Sequence, residues 1–485
     1  MAVRARLTPP RETKTDWPWH QVKSASLRAS LLFDGARRME AENFLASGYG
    51  ARVAIEAKAE GWARLSDIAN VWQPPRLKGT IVSVEYGRPY LSATQVFDVR
   101  PTSRRYLAVS KIVDPAALNV VTGQVLVTRS GNVGRSTVAY EVHSGHIISD
   151  DLLRVDAKDP SWRGWVYAYL RAPTVRAMMK AAQYGHIIKH LETQHLNAIP
   201  IIDIDAALRA TFEVDVRTVI TKRDRAYALT LEAEEQFTEA FGKFDVIDVG
   251  ETGFRDLASR IFMTPRRRLD AWHHNPSVQA IVSHLSKKAV GWSTVNELGF
   301  NIWLPTRFRR VPADDGLDFL DSSDFFENNP DITKRIADGN FGDAHNGRVN
   351  QGWILLSRSG QIYGLNGSAM IAGHCHENKI VSDHIIRIAP QKPKCRVGYL
   401  LVALTHPNFG RPRVKALPYG SSIPEIEVAD AAQFAVPRTN KAVENRIADC
   451  TEKAARLRDE ADELETQLGN QAETMIGEFL SRKST

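Results

Sequence analysis

Two arginines stand where they could do chemistry, each at the end of an apolar run and followed by Ser-Gly. One is Arg129 in Gly123-Gln-Val-Leu-Val-Thr-Arg-Ser-Gly131; the other is Arg358 in Gly352-Trp-Ile-Leu-Leu-Ser-Arg-Ser-Gly360. A guanidinium at the end of a buried strand presents a planar fork that reaches a phosphate, or the edge of a guanine, through two parallel bonds. It can equally pair with a nearby acid, Asp150 or Asp383, and brace its own turn. The two stretches are copies. Residues identical in both cannot tell one base sequence from another, so Arg129, Ser130, Arg358 and Ser359 suit fold bracing or phosphate contact, which carries no sequence information.

Positions that differ between the copies are better placed to discriminate. Asn132 stands opposite Gln361, and either amide can bond an adenine edge. After a shared Tyr-Gly, His186 and Lys189 stand against Ser421 and Ser422. The Tyr184 and Tyr419 rings serve packing more readily than base stacking, and Tyr363 lies in the second turn itself. Arg135, Lys180, Lys189, Arg411, Arg413 and Lys415 suit a face that tracks phosphates, with a solvated surface as the plainer reading. The runs Arg266-Arg-Arg268 and Arg307 to Arg310 fit either role.

Other chemistries fail on inspection. Gly131-Asn-Val-Gly-Arg-Ser-Thr137 resembles a phosphate-cradling loop, but Arg129 stands where a P-loop needs its first glycine. His374-Cys-His376 has no second cluster to complete a metal site. Glu377-Asn-Lys379 is half of a nuclease pattern without a counterpart in the first copy, and His273-His274 is isolated. No Asn-Pro-Pro-aromatic segment of the kind used to hold a target amine occurs.

The elements that must position these residues are themselves duplicated. An offset of 229 residues (131 to 360) also carries Tyr90-Leu91 onto Phe319-Leu320, Phe97 onto Phe326 and Pro101 onto Pro330. With small gaps, Ile148-Ser149-Asp150 matches Val381-Ser382-Asp383, Arg154 matches Arg387, and Tyr184-Gly185 matches Tyr419-Gly420. Each copy is rich in short strands, then carries a helical patch, and is followed by a long charged helix. In the second helix Val443, Ile447, Cys450, Ala454, Leu457, Ala461, Leu464 and Leu468 form a heptad seam that slips at Ala472, Met475 and Phe479. In the first, from about Asp205 to Phe244, the stripe Phe212, Val216, Val219, Ala226, Ala233, Phe237, Phe244 is interrupted by Arg223 and Thr230. About forty residues make a rod of roughly 60 Å. Neither helix is stable alone, so the two are expected to pair antiparallel and hold the copies apart at opposite ends. The net charge of +7 favours an anionic partner. Cys375, Cys395 and Cys450 have no paired spacing, and no run is long enough for a signal peptide or a bilayer span, so a cytoplasmic chain is expected.

The order of these motifs resembles the DNA-specificity subunits of type I restriction-modification systems. The Gly-x-Val/Ile-Leu-x-Ser/Thr-Arg-Ser-Gly stretch, the Ser-Asp-Asp/His run and the Ile-Pro or Val-Pro before each helix are similar to the family pattern in both halves. Arg268-Leu-Asp-Ala-Trp-His-His-Asn-Pro276, and a degraded Leu27-Arg-Ala-Ser-Leu-Leu-Phe33, resemble the segments that open a recognition domain. The resemblance implies an α+β fold: two similar mixed α/β recognition domains separated by two long helices paired as an antiparallel coiled coil. The expected divisions are a flexible tail over 1–20, recognition domains over 21–202 and 246–438, and spacer helices over 203–245 and 439–485. It further implies a non-catalytic subunit that reads a split, asymmetric target in double-stranded DNA. Two adenine-methyltransferase subunits would dock on it, with ATP-dependent restriction subunits as possible additions. It implies no metal and no cofactor in this chain, and S-adenosylmethionine on the methyltransferase partners. Two departures, Leu65-Ser-Asp-Ile68 leading into Ala-Asn-Val-Trp-Gln-Pro-Pro75 and the charged tail, leave room for a non-type-I methylation-based phage-defence system. A single-chain DNA-modifying or DNA-cleaving enzyme and a coiled-coil adaptor that never touches DNA are the rival classes.

Overall fold

The computed structural model describes residues 41–76, 79–112, 114–184, 189–245, 268–271, 273–338, 344–361, 364–420 and 422–482. The expected tail, the Leu27–Phe33 segment, Arg266, Arg267, His186, Tyr363 and Ser421 lie outside them.

The fold is α+β, built as two similar lobes on a pair of long helices. In the first lobe a four-stranded antiparallel sheet runs in the order Ala69–Trp72, Leu152–Ala157, Val125–Thr128, Ser136–Val138. In the second the order is Phe300–Trp303, Ile385–Pro390, Ile354–Ser357, Ala369–Ile371. The arginine-bearing turns leave the central strands Val125–Thr128 and Ile354–Ser357, every residue of which is buried. That is why those runs are apolar without alternation. A smaller sheet in each lobe contains one parallel pair, Arg88–Leu91 with Ile147–Ile148 and Pro312–Leu320 with Ile380–Val381.

The repeat extends to buried polar groups. Arg154 and Arg387 are fully buried and serve the Ser-Asp run as clamps. Arg154 donates to the carbonyls of Leu152, Ile148 and Ser149, and Arg387 to those of Val381, Ser382 and Gly347. His143 and His376 are buried neutral rings that bond the matching carbonyls of Val96 and Phe325, and burial holds their pKa values down to about 3 and about 4. His376 is thus a core residue. Among the described residues no cluster of three or more His, Cys, Asp or Glu could hold a metal.

The long helices are Ala206–Phe241, capped by the Asp205 side chain, and Lys441–Ser481, capped by the Asn440 side chain. They pack antiparallel: Gln236 meets Cys450, Thr230 meets Arg458, and Arg223 meets Asp462 and Glu465. The first lobe packs on Phe212, Val216, Val219 and Ile220 and, from the other helix, on Ala461, Leu468, Ala472 and Ile476. The second packs on Ala226, Leu229, Ala233 and Phe237 and on Ile447, Ala448 and Ala454. The seams are therefore those expected, with one correction. Arg223 does not break the first stripe; it is buried inside it, neutralised by two carboxylates of the partner helix. Among the described residues no helix is long and apolar enough to cross a membrane.

The lobes are also not held wholly apart. The segment around Phe97-Asp98-Val99 pairs with its own copy, Phe326-Glu327-Asn328. Val99 N–H donates to the Phe326 carbonyl at 2.8 Å, and Asn328 N–H donates to the Phe97 carbonyl at 2.7 Å. Reciprocal bonds between matched residues are what an approximate twofold axis produces. That axis passes between the lobes beside the middle of the helical rod.

Candidate nucleic-acid interface

Each arginine turn is closed by a loop that returns to it after the Tyr-Gly pair. Tyr184 and His190 form an isolated antiparallel bridge, as do Tyr419 and Glu425. The loops bring acids to the arginines. Arg129 donates to Glu192 at 2.7 Å and lies 3.7 Å from Asp151; Arg358 forms an ion pair with Glu425 at 2.7 Å and lies 3.8 Å from Glu427. Ser130 Oγ meets His190 Nδ1 at 2.8 Å, and Ser359 Oγ meets His384 Nδ1 and Glu425 at 2.9 Å. The tyrosines complete the brace: Tyr184 donates to Glu192 at 2.6 Å and Tyr419 to Glu427 at 2.9 Å. The bond to Tyr184, together with Arg129, holds the Glu192 carboxyl below the usual carboxylate range, so Arg129 faces a charged partner.

Bracing of the shared arginines is as expected, but the acids are not Asp150 and Asp383. Asp383 pairs with Arg310 instead. The loop acids Glu192, Glu425 and Glu427 were missed because nothing in their local pattern marks them; only the eight-residue spacing from Tyr184 to Glu192 and from Tyr419 to Glu427, equal in both copies, signals a shared role. Beside Arg129 an open cleft of about 850 Å³ is lined by Gln73, Arg76, Tyr90, Asp150 and His190 among others, a mixed surface of both signs.

The positions that differ between copies separate sharply. Gln361 is exposed and donates to the Ser422 carbonyl at 2.9 Å, so those two predicted residues are brought together at the tip of the second turn. Asn132 is at the joint between lobes: its amide donates to Asp331 at 2.6 Å and accepts from Arg176 at 2.8 Å. Arg135 is at the same joint, in an ion pair with Glu327 and stacked over Phe97 at 3.8 Å. Arg413 is buried, bonded to the carbonyls of Phe409 and Ala435, with its pKa pushed down to about 9 by burial. It holds the second lobe's core together and is not offered to a phosphate. Ser422 is exposed, whereas Lys189 and Arg411 are half-buried.

No family model matches the sequence, and no curated protein matches it. Among solved structures the chain is similar to type I restriction-modification S subunits along most of its length. One is from M. genitalium, at 14% identity, covering 87% of this chain and 96% of that one with a TM-score of 0.30. Another is the HsdS subunit from Thermoanaerobacter tengcongensis, at 14% identity, 87% and 97% coverage and a TM-score of 0.25. A shorter similarity, 36% of this chain and 28% of the other at 14% identity and a TM-score of 0.27, is to the type IIG restriction endonuclease BpuSI.

Proposed function

We propose that this chain is a DNA sequence-specificity subunit that reads a bipartite, asymmetric target and docks catalytic partners. The observation that carries this is the duplicated lobe on an antiparallel rod built by the same chain. Two copies of one fold related by an approximate twofold present equivalent turns to two places on one duplex. The turns carry shared braces, Arg129 and Arg358, but differ at the matched position beyond them: Gln361 stands at an exposed tip, while Asn132 is bound into the joint. The rod and the joint fix the distance between the lobes, so specificity requires both half-sites at one separation while affinity comes from phosphate neutralisation. Two methyltransferase subunits docked on the assembly would carry S-adenosylmethionine and methylate an adenine flipped from the duplex. This chain's part is to bind and position.

The test is to co-express the chain with a type I adenine methyltransferase subunit in a methylation-free host and sequence the methylome. A single gapped motif with two unlike halves is expected. A continuous motif, or turnover of DNA by the purified chain alone, would sink the reading.

A further inference from the structure

The serine of each turn stands between a histidine and a carboxylate, and those two side chains have exchanged places between the lobes. Ser130 Oγ meets His190 Nδ1 at 2.8 Å and lies 3.5 Å from Asp151 Oδ1. Ser359 Oγ meets His384 Nδ1 and Glu425 Oε1, each at 2.9 Å. The backbone fixes which positions correspond. The carbonyls of Asp151 and His384 accept the N–H of the turn arginine, from Arg129 at 3.0 Å and from Arg358 at 2.9 Å. His190 and Glu425 each form isolated bridges with the turn serine and with the tyrosine of the return loop. Asp151 therefore matches His384, and His190 matches Glu425. The acid comes from the Ser-Asp run in the first lobe and from the return loop in the second.

The arrangement is not a hydrolytic triad. A triad sets its acid on the ring nitrogen that faces away from the serine. Here Glu425 Oε1 lies 3.9 Å from the same His384 Nδ1 that faces Ser359. Nor is Asp151 the main brace of its turn, because Arg129 is 2.7 Å from Glu192 and 3.7 Å from Asp151. What the exchange alters is the surface. The Asp151 side chain is 52% exposed and the His384 side chain 39%. Asp151 and His190 both line the open cleft beside Arg129. A carboxylate only accepts hydrogen bonds, whereas an imidazole can also donate. Against a duplex a carboxylate is repelled by every phosphate, so the groups it can bond are amino groups on base edges. Cytosine offers its N4 amino group with no acceptor beside it, while adenine sets N7 next to N6.

We infer that Asp151 and His384 are specificity-determining residues, one for each half-site. Asp151 accepts from the N4 amino group of a cytosine in the major groove; His384 meets the corresponding base pair of the other half with an imidazole. His190 and Glu425 are positioning residues, which keep each turn serine between an acid and a histidine. The inference rests on the DNA-reading function proposed above and assigns part of that reading to two positions alike in backbone and unlike in chemistry. Two lobes of one fold then read two different half-sites without any change in how the turns are built.

The test co-expresses the full chain and its variants with a type I adenine methyltransferase subunit and reads the methylome. Asp151→Asn and His384→Gln should each relax preference at one base pair, in opposite halves, by roughly ten- to a hundredfold. The pair relaxed by Asp151→Asn should be C·G, and the spacer should be kept. Asp151→His combined with His190→Glu rebuilds the second lobe's arrangement in the first. It should change that same base pair and melt as the wild type does. If the wild type methylates a gapped motif and all three variants methylate it unchanged, these side chains only build the turns: the assignment is refuted and the DNA-reading function stands. If the wild type yields no gapped motif, that function fails and the assignment falls with it. Where a variant methylates nothing, competition binding of the purified chain to duplexes altered one base pair at a time decides. Recovery on a duplex altered at a single base pair supports the assignment, and equal loss on every duplex overturns it.

Discussion

Asp98 and Glu327 occupy the same position in the two repeats and face each other in an antiparallel bridge across the lobe boundary. A residue can meet its own copy only on a symmetry axis, so this one contact locates the twofold. It also shows where the copies have diverged. Glu327 has Arg135 as a partner, while the residue matching Arg135 in the second lobe is Ser368. Asp98 is left with Arg104 at 4.0 Å.

Burial without a close partner pushes the Asp98 carboxyl up to about 7. Its folded-state value lies above the unfolded value, so the folded chain holds the extra proton between about pH 4 and pH 7. The charged form costs stability above that window and nothing below it. Asp98→Asn should therefore stabilise the chain at pH 8, by roughly 4 kcal/mol at most, and leave it unchanged near pH 3. Denaturation at the two pH values measures this. Equal effects at both would show that Asp98 is already well paired.

The middle of the rod makes the opposite case. Arg223 is 3% exposed and bonds Asp462 and Glu465 at 2.8 Å each. Despite burial, Arg223 and Arg171 hold the Glu465 carboxyl down to about 2. Its stabilisation is present above the ordinary value of 4.5 and is lost as pH falls toward 2. Arg223→Met removes the cation and strands two buried carboxylates, which costs about 3–5 kcal/mol near neutral pH. The variant should also become relatively less destabilised on acidification, as those carboxyls take up protons. A variant that loses under 1 kcal/mol in urea unfolding would contradict the pairing.

How far all this was legible depends on whether the determinant is local. The heptad from Val443 to Leu468 is a local pattern, and the second helix follows it. The first helix looked broken because periodicity treats an arginine as exposed, whereas Arg223 is matched by acids over two hundred residues away in sequence. The repeated Gly-to-Gly strand was legible for the same reason as the heptad: both copies keep a fully buried strand in the middle of a sheet. The joint was not legible. Glu327 and Asp331 lie in a segment without periodicity, and their partners Arg135, Arg176 and Asn132 come from the other lobe. Only the twofold brings them together, and sequence similarity shows that copies exist without showing where they touch.

This bears on the candidate readers. Asn132 is committed to Asp331 and Arg176, so Asn132→Ala should loosen the joint, lower stability by about 1 kcal/mol and leave the methylated motif unchanged. Gln361 projects at an exposed tip, where its amide donates to the Ser422 carbonyl, so Gln361→Ala should relax preference in one half-site, by about 1–3 kcal/mol at one base pair. Methylome sequencing and urea unfolding of the two variants together make the comparison. A changed motif with Asn132→Ala, or an unchanged one with Gln361→Ala, would reverse the assignment.

The stretch of rod between the two lobe cores is short: the first core ends at Ile220 and Ala461, and the second begins at Ala226 and Ala454. A seven-residue insertion there in both helices, about two turns, keeps the seam in phase and lengthens the rod by roughly 10 Å. Insertion in one helix only would throw Arg223 out of register with Asp462 and Glu465. The paired insertion must open the Asp98–Glu327 joint, because the lobes can no longer meet, and that frees each lobe to follow the groove as the duplex turns. The recognised spacer should then grow by about three base pairs, at 3.4 Å each, with both half-sequences kept and with lower thermal stability. If the spacer is unchanged and the chain is as stable as before, neither the rod nor the joint sets the distance.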